Sequence, residues 1–317
     1  MDEPREGRIG CQRMNETFGP LELPGWLEFN SWRTGLKSHR FSLALTPEGP
    51  EARAVLYLDR RGRVKLPRGN PYLPVYFRSA RQRPSGRTAD WHKVAAPLVD
   101  EMRRRGSANQ LYLSPEVEDV RPWQWRGFFV GVRYTYFLDF PFAAGMDREI
   151  RRVLDKAAGL GLIVERVTDF KPVLECLVET EIRQGFAYGL GPRELHEARN
   201  LLGDESLRMY VCFDRAGQPV SALVILHSPG TRAMEWVAGT KSARLRDGAP
   251  QLVRRASFDD VCAAGATGID LCGANMASVA ASKSHWGARL VTNYGVRTYT
   301  LRTGARILAD WREARKL

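Results

Sequence analysis

The feature that most limits the fold of this chain is a change of apolar period near residue 207. Between residues 147 and 203 apolar side chains recur at helical spacing. Beyond that point the period is two. Residues 209–213 and 220–226, joined by Asp214-Arg215-Ala216-Gly217, read as a hairpin, and 233–238 supplies the next strand. Helices laid down before an antiparallel meander must cover a face of its sheet, which places the chain in the α+β class. A loop at 239–249, a helix at 250–264, a strand at 268–272, a short helix at 276–284 and terminal strands over 289–301 complete the pattern.

The helical stretch opens at Asp147. Ile150, Val153, Leu154 and Ala157 share one face, and Arg148, Arg151, Arg152 and Lys156 lie largely on the other, so this is an amphipathic basic helix. A second helix covers 173–185, and a third starts after Gly191-Pro192 and ends near Leu202-Gly203. Upstream, residues 41–45 and 54–58 are strands, the latter followed by the turn Asp59-Arg60-Arg61-Gly62. A loop with three prolines spans 67–74. The helix after it carries Val94, Ala95, Leu98, Val99 and Met102 on one face and ends at Gly106. Residues 111–113 form a strand, and 115–122 an acidic turn. The apolar stretch 127–145 holds Arg133 and Asp139 and alternates as strands do, so it is no membrane span.

At 317 residues the chain is long enough for two cored domains, with one large domain the alternative. With 44% hydrophobic and 26% charged residues it is a folded globular protein. Its net charge of +12 favours a polyanionic partner, and only eight of its 48 cationic residues are Lys. The cations cluster at 60–68, 78–87, 103–105 and 148–156, the spread needed to neutralise RNA phosphates. Tyr72, Tyr76, Trp123 and Trp125 are candidates for stacking on unpaired bases, with core packing the better reading of the tryptophans.

Cys11, Cys176, Cys212, Cys262 and Cys272 form no C-x-x-C pair and most sit in apolar runs, which reads as buried free thiols in a reducing cytoplasm. No apolar leader follows Met1. The five histidines have no metal-ligand spacing, so no metal is expected, although His285 is a candidate base. Nucleophile-elbow, Walker-type and dinucleotide fingerprints are absent from the sequence.

The order helix, helix, three antiparallel strands, helix, strand, helix, strand resembles the GNAT acyltransferase fold. Three motifs carry a closer likeness: Gly248-Ala249-Pro250-Gln251-Leu252; Gly268-Ile269-Asp270-Leu271-Cys272-Gly273-Ala274-Asn275; and Lys283-Ser284-His285-Trp286-Gly287-Ala288. Together they resemble the Fem-like branch, whose members carry two tandem GNAT-like halves and include transferases that form peptide bonds from aminoacyl-tRNA. The likeness is good over 127–300 and thin before that, and it departs at Ser282, where Phe is usual. It implies two GNAT-like halves, 1–146 and 147–317, each a mixed, mostly antiparallel sheet flanked by helices, with the strand Arg133–Asp139 before the basic helix as the join.

A GNAT enzyme cradles the acetyl-CoA pyrophosphate on a glycine-rich loop at a helix N-terminus. Here that loop is Arg244-Leu245-Arg246-Asp247-Gly248-Ala249-Pro250-Gln251, with one glycine, an acid and a proline that lacks the donor N–H. This disfavours CoA and leaves Arg244, Arg246, Gly248 and Gln251, with Arg148, Arg152 and Lys156, as candidate contacts to the phosphates of a tRNA 3′ end. The resemblance places Lys283 at the reaction centre, a surface lysine being the alternative. Glu235, in mid-strand beside the acceptor, is the candidate base. Glu235 and Trp236 alternate along a strand, so only one of them is expected to line the site. Asn275 and Trp236 are candidate acceptor contacts. Asp270 is either a third or a buried hydrogen-bonding residue, the latter favoured. The expected activity is transfer of an amino acid from aminoacyl-tRNA, as co-substrate and without a further cofactor, to the amine of a small peptide or specialised metabolite. The alternative is an N-acyltransferase using acetyl-CoA or another acyl-CoA. Neither a membrane nor DNA is an expected partner.

Overall fold

A computed structural model describes residues 19–298 apart from 108, 143 and 144. Cys11 and residues 299–301 of the expected terminal strands lie outside the described residues.

The chain opens with a 3-10 turn and α1 (Pro24–Thr34), followed by β1 (Lys37–Ala44), β2 (Glu51–Leu58), β3 (Val75–Arg78) and α2 (Pro84–Arg105). Next come β4 (Leu111–Tyr112), α3 (Arg121–Trp125), β5 (Phe128–Asp139), α4 (Arg148–Gly159), β6 (Ile163–Val167), α5 (Lys171–Gln184) and α6 (Pro192–Ser206). Then follow β7 (Leu207–Phe213), β8 (Pro219–Leu226), β9 (Arg232–Thr240), α7 (Ala249–Ala263), β10 (Gly268–Asp270), α8 (Ala277–Ser284) and β11 (Arg289–Thr298).

β1, β2 and β3 form an antiparallel sheet, and the other strands form one eight-stranded sheet in the order β4-β11-β5-β10-β9-β8-β7-β6. Its strands pair antiparallel throughout except β9 with β10. The fold is α+β, as the change of period predicts. The eight-stranded sheet runs through the 146/147 position, because β11 pairs along the whole of β5 from Arg289↔Phe137 to Thr298↔Phe128. β8 is buried at every residue, which is why its sequence is a near-continuous apolar run.

Three apolar clusters hold the layers together. One packs α2, through Val94, Ala95, Leu98, Val99 and Met102, on β2 and α3; Trp123 is fully buried in it. A second lies under α7 around Phe258 and Trp286, and the third joins α1, α5 and α6 to the opposite face of β7–β9. Burying Phe258 and Trp286 edge to face at 5.2 Å contributes about 0.5–1.5 kcal/mol beyond the area they remove from water.

Four elements have no counterpart in the sequence reading. α1 starts at Pro24 and buries Trp26, Leu27 and Phe29, in a stretch whose charged neighbours mask the stripe. β6 is an edge strand with exposed Ile163 and a charged centre, Glu165-Arg166, so its alternation is faint. β3 is only four residues long beside a proline loop, and α3 falls inside the expected acidic turn at 115–122. The helix expected to end near Leu202-Gly203 does break there, at Gly203 with φ +72°, before one further turn.

Candidate active site

β9 and β10 run parallel, yet they pair only at Arg232–Met234 against Gly268–Asp270. Beyond that point β9 continues to Thr240 along β8, while the chain after β10 turns aside through Cys272, at φ +48°, and Gly273, at φ +84°. The two strands part, and a wedge opens in the middle of the sheet.

A bulge shapes one wall of this wedge. Val224 pairs with Val237 and Ile225 with Glu235, so Trp236 is the extra residue on β9. Strict alternation places Glu235 and Trp236 on opposite faces, but the bulge breaks it, and both line the same cavities. The expectation that only one of them faces the site is therefore corrected. Trp236 is braced edge-on by Trp26 and Phe29, and its indole N–H donates to the Gly69 carbonyl at 3.2 Å.

Lys283 is buried, which overturns the surface-lysine alternative. Its ammonium donates to the carbonyls of Leu271, Cys272 (2.6 Å) and Gly273 (3.3 Å), and lies 3.8 Å from Glu235 Oε2. Three donors meet three acceptors, so the lysine pins the left-handed turn after β10. Burial lowers its pKa, and Glu235 opposes that shift. Glu235 is itself buried and receives Arg254 Nε at 2.8 Å and the second guanidinium nitrogen at 3.4 Å. Arg254 was not foreseen from the sequence. The available signal was an arginine beside Val253 on the buried stripe of α7, a cation that needs a partner.

Asp270 does not line the cleft cavities. Its carboxylate accepts from the Tyr72 and Thr135 hydroxyls and from the Cys272 N–H at 2.9 Å, which is the structural alternative. Burial raises its pKa against these bonds, and burial also raises that of Tyr72. Tyr72 thus ties the proline loop to β10. Asn275 lines the cleft, but its amide is paired with the backbone N–H (3.0 Å) and carbonyl (3.1 Å) of Tyr134. It fixes the turn against β5. His285 is paired with Asp147 at 2.8 Å, at the start of α4.

Two cavities meet in the wedge. One of about 350 Å³ lies between the α5–α6 connection, β9 and α8. The other, of about 330 Å³, extends toward Arg133, Asn293 and the proline loop. They share Tyr188, Glu235, Trp236, Val237 and Cys272. A smaller cavity of about 110 Å³, reaching Pro250 at the start of α7, shares Thr180, Ala238 and Arg254 with the first. The connection over the cleft is strapped down. Arg33 donates to the carbonyls of Tyr188 (2.8 Å) and Gly189 (2.9 Å), Arg68 to that of Ala187, and Tyr188 to that of Ala238 (2.8 Å). None of these straps was legible in the sequence, because each joins segments remote along the chain.

The loop before α7 differs from a phosphate cradle. Gly248 is its N-cap at φ +81°, and a Cβ there would stand 2.7 Å from the Val153 carbonyl of α4. α4 packs directly against this loop, and Lys156 donates to the Arg246 carbonyl at 2.8 Å. Arg244 is held by Asp214 (2.7 Å) and Asp247 (3.0 Å), so its partly exposed guanidinium is already paired within the chain. The Arg246 side chain is exposed, and Gln251 is half-buried in the first turn of α7. Arg148, Arg152 and Lys156 stand exposed on α4, outside the lining of the cleft cavities.

Among the described residues no helix is long and apolar enough to cross a membrane, and no His/Cys/Asp/Glu cluster converges as a metal site. No family model matches the chain, and no curated protein matches it. Solved structures do. FemX superposes with a TM-score of 0.60 at 13% identity, covering 93% of this chain and 95% of that one. The C-terminal domain of a putative lysylphosphatidylglycerol synthetase from Agrobacterium fabrum gives 0.53 at 12% identity over 85% and 87%. L-PGS from Bacillus licheniformis gives 0.51 at 10% identity over 94% and 98%. At these identities the shared property is the fold, and it bears out the Fem-like, GNAT-type architecture implied by the sequence motifs.

Proposed function

We propose that the protein moves an aminoacyl group from aminoacyl-tRNA to the amine of a small peptide or specialised metabolite, in the wedge between β9 and β10. The observation that carries this reading is the start of α7. There α4 crowds Gly248, Pro250 lacks an N–H and Asp247 stands in the loop, so the place where a CoA pyrophosphate would sit offers few donors. The same α4 presents Arg148, Arg151 and Arg152 outward, and no ion pair engages them among the described residues. Such a surface suits a long polyanion better than a short one. The extent of the FemX superposition and the lysyl group in the name of the Agrobacterium fabrum neighbour support aminoacyl transfer over simple acetylation.

In this reading the acceptor amine attacks the ester carbonyl, a tetrahedral intermediate forms, and the terminal ribose hydroxyl leaves with a proton. Glu235 Oε2, held only at 3.4 and 3.8 Å, keeps lone-pair capacity for an amine N–H. Arg254 and Lys283 put two cations beside the carbonyl oxygen on which charge develops. Lys283 acts mainly by fixing the turn, since its three protons are already placed.

The test is tRNA binding measured over a salt series. Contacts to several phosphates give a steep fall of log affinity with log salt, about 0.7–0.9 per phosphate. Salt-insensitive binding, or tight binding of acyl-CoA with none of tRNA, overturns the donor assignment.

A further inference from the structure

The larger cleft cavity also constrains the group being transferred, and this inference rests on the wedge being the transfer site. The three cavities form a series. The small one begins at the start of α7, the 350 Å³ cavity follows through Ala238 and Arg254, and the 330 Å³ cavity follows through Glu235 and Trp236. The last is bordered by polar and hydrogen-bonding groups, Arg133, Asn275 and Asn293 among them, as an acceptor site requires. The middle cavity is then where the acyl group lies.

Besides Trp236, its lining includes the apolar residues Phe186, Val237, Ala238, Leu271, Met276 and Val279. Phe186 and Met276 remain 45% and 59% exposed at its lips. Its inner polar groups are already engaged within the protein. Thr180 donates to the Thr240 carbonyl and accepts from its N–H, and Tyr188 donates to the Ala238 carbonyl. Glu235 is paired with Arg254 and Lys283, and the Lys283 ammonium is shared among three carbonyls. A charged ligand side chain entering here loses its water, and the charges it meets, Glu235 against Arg254 and Lys283, are already paired with one another. A glycyl or acetyl group leaves most of the space unfilled and forgoes the contacts its walls offer.

We propose that the transferred acyl group bears an uncharged apolar side chain of about leucine, methionine or phenylalanine size, seated between Phe186, Val237, Met276 and Val279. The test uses RNA microhelices ending in CCA whose terminal 3′-amino group carries leucine, phenylalanine, glycine, lysine or aspartate through a stable amide. Their affinities are read by fluorescence anisotropy. The leucyl and phenylalanyl probes are expected to bind about tenfold or more tighter than the other three, the scale of one or two buried methylenes. Val279→Glu should erase that preference. Ala238→Leu, which narrows the same cavity from β9, should weaken the phenylalanyl probe most and serves if Val279→Glu melts early. Equal affinities, or a preference for lysine or aspartate, overturn the proposal. If every RNA probe fails, the donor reading falls, and non-hydrolysable isovaleryl- and acetyl-CoA analogues decide the cavity. A tenfold preference for isovaleryl upholds it, and parity overturns it.

Discussion

Replacing Lys283 by methionine removes a buried cation of almost the same length and tests what the lysine does. In the folded protein the ammonium satisfies three carbonyls at the end of β10 and stands 3.8 Å from Glu235. The Leu271 carbonyl belongs to a buried residue and Cys272 is half-buried, whereas Gly273 is exposed. Loss of two inner charge-assisted bonds costs about 1.5–3 kcal/mol each, less what is regained by no longer burying an ammonium. A net loss of about 3 kcal/mol follows, because Glu235 keeps Arg254 and is not left unpaired. At a urea dependence of about 3 kcal/mol/M, the unfolding midpoint falls by about 1 M. Lys283→Arg should recover only part of it, since a planar fork does not fit three converging carbonyls. Urea titration followed by circular dichroism reads both variants. A Lys283→Met midpoint within about 0.3 M of wild type shows that the turn does not depend on the lysine and refutes this reasoning.

Other perturbations follow from the same geometry. Arg254→Met leaves Glu235 with only the longer contact to Lys283, and should cost about 3–5 kcal/mol of stability together with most transfer activity, read by denaturation and turnover. Gly248→Ala places a Cβ 2.7 Å from the Val153 carbonyl at φ +81°, and a loss of about 2 kcal/mol or more in the same titration is expected. Changing Arg148, Arg152 and Lys156 together to Glu should lower the salt slope of tRNA binding by about 2–3 while leaving the circular dichroism spectrum unchanged. Asp119 concerns acid stability. Burial pushes its carboxyl up, but hydrogen bonds from Arg121 and His92 outweigh this and hold it at about 2. The folded pKa lies below the ordinary value, so the contribution is present above about pH 4 and is lost as pH falls toward 2. Arg121 is half-exposed, which discounts the effect to about 1 kcal/mol, and Asp119→Asn should remove that part of the acid limb.

What could be read in the sequence was whatever depends on local pattern. The stripe Val94–Met102, the basic face of α4, the meander β7–β9 and the helix starts at Pro192 and Pro250 each announce themselves within one or two turns. The motif around Asp270, Asn275 and Lys283 falls where the sheet opens after β10. It did not disclose that Asp270 and Asn275 spend their polar atoms on Tyr72, Thr135 and Tyr134. Alternation failed at Trp236 because the bulge beside Glu235 leaves no signature in the sequence of β9. Arg254, Arg33 and Arg68 were missed for another reason. Forty arginines look alike in sequence, and only the fold shows which of them find a carboxylate or a loop carbonyl.

The central claim is that the wedge between β9 and β10 takes its acyl group from RNA. Its most direct test is a single-turnover reaction in which purified protein, tRNA charged with radiolabelled amino acids and a pool of small amines are combined, with acyl-CoA in a parallel reaction. The expected result is a labelled, alkali-stable amide that forms from aminoacyl-tRNA, disappears when the tRNA is pretreated with RNase, and falls at least tenfold in Glu235→Gln. An amide that forms from the thioester and ignores RNase contradicts the claim.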